Sequence, residues 1–127
     1  MSISKRIKSR HFLIANRVIT SESDVGHWIL IIRPKPGMIE VFDSLGCTKQ
    51  DLLPELKHFG YSLLFNETRV QALGSTSCGA FCLYTAFWRL VNIDRTFSQV
   101  LTDIYTNNFE ENEETVMEFK KKYIDNE

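Results

Sequence analysis

The sequence lacks the features of membrane, secreted and disordered proteins. It has no uninterrupted apolar run near the ~20 residues that a membrane-spanning helix needs. Its basic first ten residues have no apolar stretch behind them, so no signal peptide is predicted. A net charge of -1 excludes a general polycation that coats nucleic acid, and an aromatic content of 12% argues against disorder. We therefore expect a globular protein inside the cell that does not bind membranes.

Cysteine is scarce, and only Cys47, Cys78 and Cys82 occur. An odd number of cysteines in a chain that is not secreted argues against a disulfide framework and points to a free thiol. No repeat, low-complexity stretch or linker interrupts the 127 residues, of which 43% are hydrophobic. This content is enough to bury one core, so we predict a single domain over residues 1–127.

Charge is balanced overall but spread unevenly. Residues 1–35 carry seven Lys and Arg against two acids, whereas residues 96–127 carry three against eight. The basic start has two interpretations, a docking face for a polyanion or an ordinary solvated surface. In the last predicted helix glutamates precede lysines, an order that complements the helix dipole and explains part of the acidic end.

Apolar periodicity predicts an α+β fold. Residues 27–33 are apolar on both faces, as in a central strand, and a turn at 34–37 joins them to a strand at 38–42. Residues 78–91 are apolar almost all round and predict a helix buried in the middle of the domain. The pattern also predicts strands at 12–18 and 63–65 and helices at 51–58, at 97–104 after a Thr96 cap, and at 110–123.

Cys78 is the candidate for a reactive thiol. It lies between the small polar loop 74–77 and the predicted buried helix, where unpaired N–H groups and the helix dipole favour a thiolate. Gly79 leaves space for a substrate carbonyl to approach the backbone. The alternative for Cys78 is a small buried hydrophobe, which is our interpretation of Cys82. No further ligands lie at a zinc-like spacing from these cysteines, so no metal is predicted.

A nucleophilic cysteine needs a base, and His27 opens the central strand, whereas His11 and His58 lie in polar segments. If the hairpin turn is centred near residue 35, His27 falls directly opposite Asp43, with Cβ atoms ~4.5–5.5 Å apart. A carboxylate there accepts the imidazole Nδ1–H and orients the other nitrogen towards a thiol. The alternative for Asp43 is a turn-forming residue.

An acyl-transfer site also needs donors for the oxyanion. The backbone N–H of Cys78 is one, and the side-chain amide of Gln71, seven residues upstream, is a second candidate. A single Gln is more often a surface residue. The hypothesis therefore depends on His27, Asp43, Gln71 and Cys78 taken together.

Four segments in this order carry a resemblance to a known family. They are Gly26-His27-Trp28, Phe42-Asp43-Ser44-Leu45-Gly46, Val70-Gln71 and Cys78-Gly79-Ala80-Phe81-Cys82. Over about residues 12–92 the chain resembles the adenovirus-protease-like cysteine proteases, which belong to the superfamily of SUMO-specific proteases. The first two segments resemble the SUMO-protease side and the last two the viral side. Asp43 departs from the viral pattern, where the acid is Glu.

The resemblance implies a papain-like or adenain-like cysteine protease that needs no cofactor. His27 would be the general base and Asp43 its orienting acid. Cys78 would be the nucleophile, and its N–H together with Gln71 would form the oxyanion hole. Trp28 would narrow the substrate channel so that a small residue such as Gly precedes the scissile bond, although core packing also explains a Trp here.

The viral side of the resemblance implies a maturation protease of a virus, virophage or Polinton-like element, acting in the host cell and the virion on capsid precursor proteins. It also implies two activators, a peptide, for which Cys47 is the candidate tether, and DNA, for which the basic N-terminal segment is the candidate. The short stretch before His27 predicts that the N-terminal lobe of the viral relatives is absent or built differently. Two alternatives stay open, a SUMO- or ubiquitin-deconjugating protease and a non-catalytic member that binds a partner.

Overall fold

In a computed structural model of the chain, the described residues are 11–17, 27–46 and 62–125. The predicted helix at 51–58 lies outside these residues. So do Cys47, His58 and the basic N-terminal segment before residue 11, and the predictions made for them are not tested by the structure.

The described residues form a mixed sheet and three helices, which confirms the predicted α+β class. The central strand, its hairpin partner, the helix that starts at Cys78 and the helix after Thr96 have the predicted bounds. The other described elements differ by one residue at one or both ends. In chain order the elements are β1 His11–Arg17, β2 His27–Arg33, β3 Met38–Phe42, β4 Ser62–Phe65, α1 Cys78–Val91, α2 Phe97–Ile104 and α3 Phe109–Tyr123.

The strands lie side by side in chain order, β1-β2-β3-β4. Pairing is antiparallel between β1 and β2 and between β2 and β3, whereas β4 runs parallel to β3. In the predicted hairpin of β2 and β3, Leu30 lies opposite Phe42 and Ile32 opposite Glu40, so the pairing is centred on residue 36. The predicted centre near residue 35 is therefore wrong.

The physical reason for this register lies in the turn. Met38 donates its backbone N–H to the carbonyl of Lys35 at 3.2 Å, and Gly37 takes a left-handed φ of 83°. The tight turn therefore surrounds Pro36 and Gly37, one residue later than assumed. Such a turn favours glycine, since other residues pay a steric penalty for positive φ.

Strand β2 is buried on both faces, as predicted for a central strand. Leu30 and Ile32 pack in a cluster with Phe81 of α1, while Ile29 and Ile31 belong to a second cluster on the opposite face. This alternation follows from the two-residue period of side chains along a strand. The second cluster also contains Ile39 and Val41 of β3, with Leu13, Ala15, Leu63 and Phe65 packed against it.

Helix α1 packs on the sheet, but it is not buried all round as predicted. Leu83, Phe87 and Val91, spaced four residues apart, form an exposed stripe along the helix. Part of this stripe contacts α3, because the Phe87 ring centroid lies 5.5 Å from that of Phe119. The apolar sequence of α1 therefore serves two surfaces, the sheet on one side and the flank of α3 on the other.

The two later helices begin at polar caps. The Thr96 side chain accepts the Gln99 N–H, and the Gln99 side chain accepts the Thr96 N–H, so the predicted cap is confirmed as a reciprocal capping box. Asn108, which was not predicted, caps α3 by accepting the Glu111 N–H. No helix in the described ranges has the length and hydrophobicity needed to cross a membrane.

A buried ion pair connects α1 to β3. Arg89 donates from Nε to Glu40 Oε1 at 2.7 Å and from Nη2 to Oε2 at 2.9 Å, with the two side chains 3% and 1% exposed. Its Nη1 donates to the carbonyl of Asn92 at 3.0 Å. Such a two-point contact fixes orientation as well as distance, so it determines how α1 lies across the strand that precedes Asp43.

We expect the Glu40→Gln substitution to lower the free energy of unfolding by about 3–5 kcal/mol, because it leaves the buried Arg89 charge uncompensated. Urea unfolding followed by circular dichroism measures the change. The matched control is Asp103→Asn, which breaks the exposed Arg95–Asp103 pair and should cost below about 1 kcal/mol. Equal losses for the two variants would contradict a special role for the buried pair.

Candidate active site

His27 and Asp43 contact each other where β2 begins and β3 ends. His27 Nε2 lies 2.5 Å from Asp43 Oδ1, and both side chains are buried. Direct opposition was predicted, but with pairing centred on residue 36 the two residues are diagonal neighbours, two positions apart. Because side chains alternate along a strand, a shift of two residues keeps both on one face. The predicted contact is therefore present, although the predicted register is wrong.

The ring nitrogen that faces Asp43 is Nε2, not Nδ1 as predicted. A diagonal pair is separated by more than a directly opposed pair, and Nε2 is the ring nitrogen farther from the backbone. The longer reach of Nε2 thus accounts for the difference. When Nε2 carries the proton that Asp43 accepts, Nδ1 of the neutral ring is an acceptor.

Asp43 is held by a neighbour that sequence reasoning missed. Asn66 accepts the Asp43 backbone N–H at 2.9 Å and donates from Nδ2 to the Asp43 carbonyl at 2.6 Å. The Leu45 N–H donates to Asp43 Oδ1 at 2.9 Å, which orients the carboxylate towards the loop 43–46. A signal was available, since Asn66 directly follows β4, and the carboxyl ends of the parallel strands β3 and β4 meet at one edge of the sheet.

Gly46 closes the loop that carries Asp43. Its N–H donates to the Asp43 carbonyl at 2.8 Å, and its φ is 80°. A Cβ at this position would lie 2.5 Å from the carbonyl oxygen of Glu67, closer than backbone atoms tolerate. Loop 43–46 therefore approaches the segment after β4 at a distance that only glycine permits.

Cys78 is the first residue of α1, and its thiol lies beside the start of β2. The backbone N–H of Trp28, the residue after His27, donates to Cys78 Sγ at 3.5 Å. The preceding residue, Ser77, makes no side-chain cap on the helix, so its hydroxyl does not occupy the N–H groups of the first turn. The thiol thus lies at an uncapped helix N-terminus, beside the backbone of the residue that follows His27.

Cys82 lies one turn further along α1 and is fully buried. Burial raises the pKa of its thiol, and the nearby Cys78 and Asp43 raise it further. Its Sγ lies 3.4 Å from the Trp28 carbonyl oxygen, to which the S–H donates. The prediction that Cys82 is a buried, unreactive residue agrees with this environment.

Trp28 and Gly79 lie against each other beside the thiol. A Cβ built on Gly79 would contact Trp28 Cδ1 at 3.6 Å, and Trp28 is 42% exposed. Core packing therefore does not account for the tryptophan. Its partly exposed indole lies beside Gly79, the residue after Cys78, and its role in a substrate channel stays a prediction.

Gln71 is 1% exposed and is not the surface residue of the alternative interpretation. Its Oε1 accepts from the Ser44 hydroxyl, and its Nε2 donates to Ser75 Oγ at 2.9 Å and to the Ser75 carbonyl at 3.2 Å. These contacts connect the residue after Asp43 with the loop before Cys78. The role of Gln71 as an oxyanion donor stays a prediction.

His11 is the first residue of β1. Within the part of the chain that the structure describes, no group of three His, Cys, Asp or Glu side chains is arranged to hold a metal ion. The site groups that the structure connects are an imidazole with a carboxylate, and a thiol with the backbone of the residue after that imidazole.

Comparison with solved structures gives a likeness in fold. ChlaDub1 from Chlamydia trachomatis has a similar structure, with a TM-score of 0.54 and 21% sequence identity. The match covers 77% of this chain and 46% of ChlaDub1, so this chain spans about half the length of that protein. No protein-family model and no curated protein sequence matches the chain. The likeness confirms the predicted papain-like α+β fold.

We expect Gly46→Ala to lower the free energy of unfolding by about 1–3 kcal/mol more than Gly37→Ala does. Both glycines have a left-handed φ, but a Cβ at Gly37 meets open space, whereas one at Gly46 meets the Glu67 carbonyl. The difference between the two variants in urea unfolding therefore isolates the close approach. Equal destabilisation would show that backbone conformation alone requires Gly46.

Proposed function

We propose that this chain is a cysteine protease that cleaves the carboxyl-terminal bond of ubiquitin-like modifiers. The observation that carries the proposal is the buried contact of His27 Nε2 with Asp43 Oδ1, joined through the next residue, Trp28, to Cys78 Sγ. A general base, its orienting carboxylate and a thiol at a helix N-terminus are the groups that nucleophilic catalysis requires. The three groups lie on β2, at the end of β3 and at the start of α1. The pairing of β2 with β3 and the packing of α1 on the sheet hold these elements in place.

In the proposed reaction His27 Nδ1 accepts the Cys78 thiol proton, and Asp43 stabilises the resulting imidazolium through Nε2–H. The sulfur attacks the carbonyl carbon of the scissile bond and forms a tetrahedral oxyanion. This intermediate collapses to a thioester as the amine leaves with the proton from His27. Water, deprotonated by His27, then attacks the thioester, and the thiol recovers a proton.

The oxyanion would be stabilised by the Cys78 backbone N–H at the uncapped start of α1 and by the Gln71 amide. Both Gln71 donor contacts go to Ser75 in the resting site, at 2.9 and 3.2 Å. The longer one, to the Ser75 carbonyl, is the one that the amide would exchange for the oxyanion. A hydrogen bond that forms only in the transition state raises the rate without tightening substrate binding.

Three features favour a modifier tail as the substrate. The proximity of Trp28 to Gly79 would narrow the approach to Cys78 and suits a chain that ends in glycine. ChlaDub1, whose fold this chain resembles, has a name that designates a deubiquitinase. The Asp43-Ser44-Leu45-Gly46 hairpin end also resembles the SUMO-protease side of the superfamily.

Capsid maturation is the second candidate, favoured by the viral pattern in Val70-Gln71 and in the Cys78–Cys82 segment. It shares the same four site residues and differs in substrate. The predicted activating peptide, the DNA contact of the basic N-terminal segment and the location in host cell and virion belong to this candidate. Salt-independent binding of duplex DNA would contradict the DNA contact, because phosphate contacts release counterions.

Alkylation by iodoacetamide at neutral pH should modify Cys78 rapidly in the native protein and leave Cys82 unmodified, because burial raises the pKa of the Cys82 thiol. His27→Ala should slow the reaction at Cys78 by about a hundredfold, since a general base contributes at least that much. Peptide mass spectrometry after timed quenching measures each site. If Cys47 and Cys78 were alkylated at equal rates, and if His27→Ala left these rates unchanged, the catalytic interpretation would be wrong.

Ubiquitin and SUMO carrying a carboxyl-terminal aminocoumarin should release the fluorophore, and Cys78→Ala should abolish the release. The matched competitor is a Gly-containing peptide of a capsid cleavage site with the same fluorophore. Faster cleavage of the peptide than of either modifier would favour capsid maturation over deconjugation as the function. The non-catalytic alternative would be favoured by two results together: the protein binds either modifier tightly without releasing the fluorophore, and iodoacetamide does not alkylate Cys78.

A further inference from the structure

Glu113 of α3 contacts the loop that leads to Cys78. Its Oε1 accepts a hydrogen bond from Ser77 Oγ at 2.7 Å, and its two carboxylate oxygens lie 3.0 and 3.2 Å from Ser75 Oγ. Ser77 directly precedes Cys78. One carboxylate therefore holds two of the three residues before the nucleophile.

Ser75 connects Glu113 to Gln71 through hydrogen bonds of its hydroxyl. A serine hydroxyl has one hydrogen to donate, and Glu113, as a carboxylate, can only accept it. The Ser75 oxygen must then accept from its other neighbours, which are Gln71 Nε2 at 2.9 Å and the Ser77 N–H at 3.3 Å. The carboxylate thus sets the direction of the Ser75 hydroxyl.

The direction of the hydroxyl holds the Gln71 amide by its donor end. The Ser75 Oγ that accepts at 2.9 Å adds to the Ser75 carbonyl, which accepts from the same Nε2 at 3.2 Å, and Gln71 Oε1 at the opposite end accepts from the Ser44 hydroxyl. If the Ser75 hydroxyl pointed away from Glu113, the donor end would keep only the longer contact to the carbonyl. That contact is the one that the amide would exchange for the oxyanion, so the Ser75 Oγ contact would hold the amide in place during the exchange.

The neighbouring residue in α3 anchors the other end of the same loop. Asn112 is buried and donates from Nδ2 to the carbonyl of Val70 at 3.0 Å, the residue before Gln71. Its Oδ1 accepts the Thr106 N–H at 2.8 Å, which fixes the amide at the start of α3. Consecutive residues of one helix therefore hold both ends of the segment 70–77.

We propose that Glu113 is a positioning residue of the active site, which orients the Gln71 amide and the Ser75–Ser77 loop for reaction at Cys78. The inference rests on the proposed function. It also separates Glu113 from Glu110 and Glu111, which lie in the first turn of α3, where the helix dipole accounts for them. Helix α3 lies beyond residues 12–92, to which the family resemblance extends.

The central test compares Glu113→Gln with Glu114→Gln, its exposed neighbour on α3. Glutamine has nearly the same shape, but its NH2 cannot accept from a serine hydroxyl. With the fluorogenic modifier that the wild-type protein cleaves, we expect Glu113→Gln to lower kcat about tenfold and to change KM by less than about twofold. Glu114→Gln should match the wild type in both. An unchanged kcat for Glu113→Gln overturns the proposal.

A second comparison asks whether Glu113 acts through the amide. In a Gln71→Ala background, Glu113→Gln should lower kcat by less than about twofold, because the group that it orients is gone. A full tenfold loss in that background would mean that Glu113 does not act through the Gln71 amide, and would overturn the proposal. Ser75→Ala removes the same connection from the other side and should reproduce the kcat loss, so it replaces Glu113→Gln if that variant does not fold.

Alkylation separates failure of this inference from failure of the proposed function. If the wild-type protein cleaves neither modifier, deconjugation is wrong, and the iodoacetamide rate at Cys78 then decides the role of Glu113. A slower rate in Glu113→Gln than in Glu114→Gln supports the positioning role, since Ser77 holds the Cys78 end of the loop. Equal rates overturn it.

Discussion

The arrangement of the site depends on how α1 is fixed on the sheet, and that helix is held at both ends. At its start, Cys78 and Cys82 lie on either side of the Trp28 peptide group, one near its N–H and the other near its carbonyl. Eleven residues after Cys78, the buried Arg89–Glu40 pair attaches the other end to β3. Two separated contacts on adjacent strands remove both sliding and rotation of α1. The position of the thiol beside the residue that follows His27 is a consequence of this docking.

The ion pair has a further consequence for the choice of residues. A fully buried charge pair gives little net stability compared with apolar packing, because both ions lose their hydration. It does impose a single geometry, since Arg89 meets Glu40 through two parallel hydrogen bonds. Apolar contacts between α1 and β2 supply the burial, while the pair specifies where along β3 the helix lies. Stability and register are thus provided by different interactions.

Much of the fold could be predicted from the sequence, because its signals are local. The period of apolar residues predicted the bounds of β2, β3 and α1, and the Thr96 hydroxyl before an apolar periodic segment located a cap. The His27–Asp43 contact was also predictable, although the register was not. An error of two residues keeps the face of every side chain, whereas an error of one would have reversed it. The ring nitrogen did depend on the register, and there the prediction failed.

What could not be predicted depends on contacts between segments distant in sequence. Asn66 and Glu113 reach Asp43 and Ser77 across 23 and 36 residues, and no spacing rule connects them. The Glu40–Arg89 pair had a signal, since each is a lone charge in an otherwise apolar element, and buried charges require partners. Its members could be recognised as unusual, but pairing them required the placement of α1.

The same geometry bears on substrate choice. Deconjugation and capsid maturation need one chemistry, and the resemblance gives both of them His27, Asp43, Gln71 and Cys78. The residues that distinguish the two substrates must therefore lie outside this set. The small residues that Trp28 and Gly79 are proposed to select at Cys78 occur in both substrates. Selectivity then depends on surfaces that bind the body of the substrate. Such surfaces are physically separable from the chemical centre, because α1, β2 and β3 with the contacts of Asn66, Gln71 and Glu113 already fix the centre.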